Sequence, residues 1–224
     1  MINQYCAFFD VDGTLINTRS MFNFLDFFAE RQGNGDHEFR DYYHKLHTLL
    51  RSGASRTDIN RFYYSFLKGI PVDHIAALGQ EWFAVAGGLT GFYNGSMLAL
   101  MDDHKKNGAH LVLVTGAFMQ IVEPLIRELG VDAALCTVPK VSGGIFTGEV
   151  HGQPCIGEGK VAAIRDFARD NNIDLERCVA YGDDESDLPM IAAVGSGELI
   201  QPDPRYKDEL NTLLTWVGRD QRCG

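Results

Sequence analysis

Three short apolar runs that each stop on a polar residue limit what this chain can fold into. "YCAFFDV" leads into Asp12 and Gly13, "HLVLVTG" ends on Thr115 and Gly116, and "RCVAYGDDESD" turns from apolar to acidic at Asp183. An unbroken apolar run of this kind reads as a strand buried on both faces, the environment of a parallel sheet covered by helices. After Phe92 such runs alternate with amphipathic stretches, "NGSMLALMDDHKKNGA", "FMQIVEPLIRELG" and "EGKVAAIRDFARDNN", whose apolar residues recur at helical spacing. The alternation predicts an α/β fold built on a doubly wound parallel sheet. "ALCTVPKVSGGIFTGEV" reads as a strand followed by a small hairpin, and "GELIQP" as a last short strand before a C-terminal helix and the loose tail "GRDQRCG". Pro124 is expected in the first turn of its helix or at a kink, because its ring removes the amide that a helix interior needs.

The section from about Ser20 to Gly87 breaks the alternation. "SMFNFLDFFAERQG", "HEFRDYYHKLHTLLRSG", "RTDINRFYYSFLKG" and "VDHIAALGQEWFAVAGG" read as successive helices with no strand between them. A helical bundle inserted directly after the first strand would hang over the carboxyl ends of the strands, where open α/β sheets bind ligands. The expected organisation is a core of residues 1–18 and 91–224 and a helical cap of residues 19–90. Gly87, Gly88 and Gly91 suit a hinge between the two.

Composition narrows the class. The 224 residues are 45% hydrophobic, enough to bury a proper core. A formal net charge of -10 argues against sequence-independent binding to nucleic acid or to an anionic membrane. Five cysteines, Cys6, Cys136, Cys155, Cys178 and Cys223, are scattered without C-x-x-C spacing, so neither a disulfide framework nor a zinc site is indicated. The first strand begins too near Met1 to leave room for a signal peptide, and no apolar run approaches the roughly 18 residues of a membrane helix. A soluble, cytoplasmic protein is expected; the oligomeric state is not legible.

Three strand ends deliver polar residues to one edge of the sheet: Asp10 and Asp12, Thr115 and Gly116, then Asp183, Asp184 and Asp187, with Lys160 at a helix start. A bare cluster of carboxylates repels itself and raises at least one pKa unless a cation neutralises it. Mg²⁺ is the expected ion, since it takes one or two carboxylates and keeps waters and a phosphate as its other ligands. Taken singly, Asp12-Gly13 also reads as an ordinary turn with Thr14 as a cap, Lys160 as a solvated helix lysine, and "DDESD" as an acidic loop.

"DVDGT" at Asp10 to Thr14, the strand ending in "VTG" at Thr115, Lys160, and "GDDESD" at Gly182 to Asp187 together resemble the four ordered motifs of the haloacid dehalogenase superfamily. The cap after the first motif and "GGIFTGEV" before the lysine look like its phosphoserine phosphatase-like branch, with a Rossmann-like core. The resemblance implies that Asp10 is the nucleophile forming an aspartyl-phosphate and that Asp12 protonates the leaving alkoxide and then deprotonates water. It implies that Thr115, Gly116 and Lys160 hold the phosphoryl group. Asp10, Asp183 and the backbone carbonyl of Asp12 would ligate Mg²⁺, with Asp187 orienting metal-bound water and Lys160. Asp184 need not ligate.

Asp12 argues against a dehalogenase, because a halide leaving group needs no proton. A phosphatase acting on a small phosphomonoester is the expected activity. A phosphomutase or phosphotransferase and a non-catalytic phosphate-binding relative are the alternatives, and a nucleic acid 3′-phosphatase is disfavoured by charge. Where the resembling phosphoserine phosphatases carry a glutamate for the substrate ammonium, this chain has Arg19, which favours a sugar, polyol or carboxylate leaving group if the side chain faces the pocket and not solvent. Phe22, Phe24, Phe27, Phe28, Tyr63, Tyr64 and Phe66 either line that pocket or pack the bundle. His44, His47 and Arg61 are further candidates to reach the substrate.

Overall fold

The computed structural model describes residues 5–32 and 37–201. Its chain runs β1 (Cys6–Phe9), α1 (Ser20–Gln32), α2 (His37–Arg51), α3 (Arg56–Tyr63), a 3₁₀ turn at Tyr64–Leu67, α4 (Val72–Ala86) and α5 (Gly95–Lys106). Then follow β2 (His110–Thr115), α6 (Met119–Leu129), β3 (Ala133–Cys136), the hairpin β4 (Pro139–Ser142) and β5 (Ile145–Val150), α7 (Glu158–Asn171), β6 (Val179–Gly182), α8 (Leu188–Ala192) and β7 (Ser196–Leu199). Five strands form one sheet in the order β3-β2-β1-β6-β7, and every pairing in it is parallel. The expected doubly wound α/β core is therefore present. The expected C-terminal helix, the tail and Cys223 lie outside the described residues.

Strand periodicity explains the unbroken apolar runs. Successive side chains point to opposite faces, so Ala7, Phe9, Leu111 and Leu113 enter one hydrophobic cluster while Cys6, Phe8, Val112 and Val114 enter another. The second cluster is closed by Ile164 of α7 and Met190 of α8, and Cys155 and Cys178 are buried in it as small core residues. The first cluster extends without interruption into the helical section, taking in Phe24, Leu25, Phe28 and Trp82. Phe24 meets Trp82 edge-on at 6.2 Å and Phe118, at the start of α6, at 6.0 Å between ring centroids. Each such buried aromatic contributes on the order of 2–3 kcal/mol through area removed from water.

Two further contacts tie α1–α4 to the sheet domain. The segment joining the 3₁₀ turn to α4 pairs with the hairpin: Phe146 N–H donates to the Ile70 carbonyl at 3.0 Å, Gly69 N–H to Phe146 at 2.9 Å and Val72 N–H to Gly144 at 2.9 Å. Helix α4 lies directly on α6. Pro124 sits in the interior of α6, not in its first turn, so the carbonyl of Gln120 lacks its usual donor four residues on. The helix accommodates this at the α4 contact, where a Cβ on Gly79 would come within 2.1 Å of that carbonyl oxygen. The small residue on α4 and the proline on α6 thus form one docking point. No helix among the described residues is long and apolar enough to cross a membrane.

Candidate active site

At the end of β1 the chain turns within a few residues, with Gly13 at φ 84° and its N–H donating to the Ile16 carbonyl at 2.8 Å. That left-handed conformation favours glycine and leaves Asp10 and Asp12 just past the sheet edge. The ladder to β6 continues through Asp10, whose N–H donates to the Tyr181 carbonyl at 2.9 Å. Lys160, in the first turn of α7, is buried, and its Nζ donates to Asp10 Oδ1 at 2.5 Å and to Asp187 Oδ1 at 2.6 Å. Asp187 is held by its second oxygen, Oδ2, which accepts the N–H groups of Asp183 and Asp184 at 3.2 Å each. The hydroxyl of Thr14 bridges toward Asp10 Oδ2 at 3.3 Å and Asp183 Oδ1 at 3.4 Å.

Asp10, Asp183 and Asp187 each present a carboxylate oxygen, all within 4.8 Å of one another. Burial pushes the Asp10 carboxyl well above the usual carboxylate range; Lys160 opposes this, while Asp187 and Asp183 add to it. Asp183 is pushed up to about 7 by burial and by its neighbours Asp187 and Asp184. Burial also disfavours the charge on Lys160, yet Asp10 and Asp187 outweigh it and hold the ammonium above its usual pKa. One lysine does not neutralise this group of carboxylates. The donor set is all hard oxygen; Asp187 is held by Lys160 and two backbone N–H groups, whereas among the described residues Asp10 Oδ2 and Asp183 Oδ1 share only the Thr14 hydroxyl, so Asp10 and Asp183 are the pair that suits a small divalent ion such as Mg²⁺.

Asp12 is pushed up to about 6 by burial, with Ser20 and the charge of Arg19 opposing. Arg19 is half-buried and near enough to Asp12 to act on it electrostatically. It belongs to the site's surroundings and not to the bulk surface.

Thr115 and Gly116 stand at the end of β2, as expected. Thr115 Oγ1 accepts the Ala117 N–H at 3.1 Å, which leaves the hydroxyl proton for another acceptor. A Cβ on Gly116 would come within 2.9 Å of Ile156, so only glycine fits this turn without displacing its neighbour. Asp184 does not join the carboxylate cluster; it caps the turn at Glu185–Asp187 by accepting the Ser186 N–H at 2.9 Å and pairs with Arg56 at 2.5 Å.

Three residues reach the site from the helical section: Arg56 and Asn60, which sequence reasoning left unassigned, and Tyr64, which it named only as one of seven aromatics that either line the pocket or pack the bundle. Asn60 Nδ2 and Tyr64 OH each donate to the Gly116 carbonyl at 2.9 Å. No local pattern marks them. The other cap candidates go elsewhere: His47 is buried against Tyr43 within α2, and Arg61 donates to the Gly152 carbonyl at 3.0 Å. Of the aromatics in the helical section, Phe24, Phe28, Tyr63 and Phe66 pack against one another, and of the seven named only Tyr64 touches the Thr115–Gly116 turn by a hydrogen bond. A cleft of about 650 Å³, bordered by Arg56, Ile156, Gly157, Asp183, Asp184 and Ser186, opens beside the carboxylates.

Residues 7–192 match the family model of haloacid dehalogenase-like hydrolases. The chain belongs to this family. A Mycobacterium tuberculosis protein named phosphoserine phosphatase SerB1 is 32% identical over 225 residues, covering 96% of this chain and 70% of its own length. Among solved structures, a protein of unknown function from Bordetella pertussis superposes with a TM-score of 0.78 at 22% identity, over 95% of this chain and 96% of its own. A phosphoserine phosphatase solved as a phospho-aspartyl intermediate analogue superposes with a TM-score of 0.62 at 21% identity, over 92% and 91%. Within the haloacid dehalogenase-like hydrolases, this fold is thus that of the phosphoserine phosphatase-like branch.

Proposed function

We propose that the chain is a phosphoric monoester hydrolase that cleaves a small phosphomonoester through an aspartyl-phosphate on Asp10, with Mg²⁺ held by Asp10 and Asp183. The observation that carries this reading is the buried Lys160 held between Asp10 and Asp187, which keeps a positive charge on the carboxylate that would attack. In the first step a carboxylate oxygen of Asp10 attacks phosphorus, the bond from phosphorus to the ester oxygen breaks, and the departing alkoxide takes the proton of Asp12. In the second, a water oxygen attacks phosphorus, Asp12 takes the water proton, and the bond from phosphorus to Asp10 breaks, releasing phosphate. A carboxyl pushed up to about 6 suits both duties, since it gives and accepts a proton near neutral pH. Bound Mg²⁺ would supply positive charge to the phosphoryl oxygens and lower the repulsion among the carboxylates.

Thr115 and the adjacent amides cradle the phosphoryl oxygens, and Lys160 neutralises charge shared with the nucleophile. The helical section, residues 19–90, acts as the cap over residues 1–18 and 91–224 and selects the leaving group. Beside Asp12, Arg19 supports a leaving group that carries acid or hydroxyls, a sugar, polyol or carboxylate phosphate, over the ammonium of phosphoserine. Phosphate release from a panel of sugar, polyol, carboxylate and amino-acid phosphates, with Mg²⁺ or with EDTA, tests the reading. Metal-dependent release ranked with phosphoserine near the bottom is expected. Phosphoserine at the top would overturn the Arg19 reading, and transfer of the phosphoryl group to an added alcohol in place of water would favour a phosphotransferase.

A further inference from the structure

The turn that receives phosphate is held from the cap. Its three residues have different anchors: Thr115 Oγ1 takes the Ala117 N–H, the Ala117 carbonyl accepts the Thr137 N–H at 2.9 Å, and the Gly116 carbonyl accepts only from Asn60 and Tyr64 among the hydrogen bonds seen here. Asn60 and Tyr64 are both buried and belong to one face, Asn60 in α3 and Tyr64 at the residue that ends it. The peptide between Gly116 and Ala117 is trans, as are all those described. A planar trans peptide points its carbonyl and its N–H in opposite directions. Whatever fixes the Gly116 carbonyl toward α3 therefore fixes the Ala117 N–H toward Thr115 Oγ1.

We propose that Asn60 and Tyr64 are positioning residues: by holding the Gly116 carbonyl from the cap side, they keep the Ala117 N–H on Thr115 Oγ1 and so fix the Thr115 hydroxyl that faces the phosphoryl oxygens, so that docking of α3 and tight phosphate binding are one event. A flexible turn would spend binding free energy on ordering itself; a turn already oriented does not. Asn60 suits the task because the donor half of its amide is the half in use, while its Oδ1 makes no hydrogen bond among the described residues. Gly116 suits it because a side chain there would meet Ile156 and would crowd Asn60 Nδ2 at 3.2 Å. The same helix face continues one turn earlier to Arg56, whose ion pair with Asp184 fastens α3 to the loop carrying Asp183. That pair is half-exposed and weaker, so the buried Gly116 contacts carry the coupling.

This inference rests on the phosphatase reading for its consequence, although not for its geometry. The test uses Tyr64→Phe, Asn60→Leu and the double variant in the full chain, each brought to the same folded concentration. Inorganic phosphate and orthovanadate are the binding probes, p-nitrophenyl phosphate is the turnover probe, and hydrogen exchange at the Ala117 amide is read without ligand. Each single variant is expected to bind phosphate about tenfold more weakly, the scale of one lost hydrogen bond in an anion cradle, and to exchange Ala117 faster. Combining Tyr64→Phe with Thr115→Ala should cost less than the two changes separately, since both act through one amide. A purely structural role would lower the melting temperature while leaving phosphate affinity and Ala117 exchange of the folded protein unchanged, and that result would overturn the proposal. A wild type that neither hydrolyses nor binds phosphate, but whose Ala117 exchange quickens in Tyr64→Phe, would sink the phosphatase reading and retain the clasp. A wild type that hydrolyses while both variants match it in affinity and exchange would do the reverse.

Discussion

In the proposed mechanism Asp12 has two duties, acid in the first step and base in the second, and one substitution read on two leaving groups tells them apart. Asp12→Asn keeps the shape of the side chain and removes the proton it would give to an alkoxide. Turnover of an alkyl phosphate should fall by about 10²–10⁴-fold, the usual size of a general acid–base contribution. An aryl phosphate with a good leaving group needs that proton less, so its first step should fall much less, as a burst of phenolate would reveal; equal losses on both would contradict the assignment. The clustered carboxylates Asp10 and Asp183 were legible in the sequence because each follows an apolar strand, where charge has no reason to be unless something binds it. Thr14 was legible as part of the first motif, but its reach to both Asp10 and Asp183 was not, since that depends on β1 and β6 lying side by side. Asn60 went unnoticed, and Tyr64 was not told apart from its aromatic neighbours, for a plainer reason. They read as ordinary members of an aromatic-rich amphipathic helix, and only the rotation of α3 against the Thr115–Gly116 turn distinguishes them from Tyr63 or Phe66.

Among the elements, the α4–α6 contact joins the helical section to the sheet domain, and it depends on an absent Cβ. Gly79→Ala would drive a methyl into the Gln120 carbonyl, at 2.1 Å in the unrelaxed structure. We expect a loss of about 1–3 kcal/mol of stability, the usual cost of overpacking, against the gain that alanine brings to an exposed helix. Urea unfolding checks the sign: a more stable Gly79→Ala protein would show that α4 does not sit on α6 as described. The helices themselves were legible from their spacing, and so was their place after the first strand. The interior position of Pro124 was not. A proline is tolerated there because Gly79 lets a neighbouring helix approach the freed carbonyl, a compensation that arises only in the packed molecule. The hinge expected at Gly87–Gly91 remains a proposal; Gly87 closes α4 in right-handed helical conformation, and Gly91 has φ 85°.

The whole molecule gathers more carboxylate than it neutralises by itself. Asp183 is pushed up to about 7 in the fold from an ordinary value near 3.8. With a raised folded pKa, the folded state binds the proton more tightly than the unfolded chain does. Its contribution to stability is full below about pH 4 and is lost as pH rises through about 7. The metal-free protein should therefore lose melting temperature between pH 5 and 8 relative to a version carrying Asp183→Asn, and Mg²⁺ should restore more at pH 8 than at pH 5. Equal Mg²⁺ effects at both values would argue that no divalent ion enters the cluster.

If hydrolysis runs through Asp10, that residue is phosphorylated during turnover, and mass spectrometry of the acid-quenched enzyme reads the adduct. A phosphoryl adduct should appear on the peptide carrying Asp10, depend on Mg²⁺, and be absent from Asp10→Asn. Robust phosphate release with no adduct in the wild type, or with activity retained by Asp10→Asn, would contradict the account.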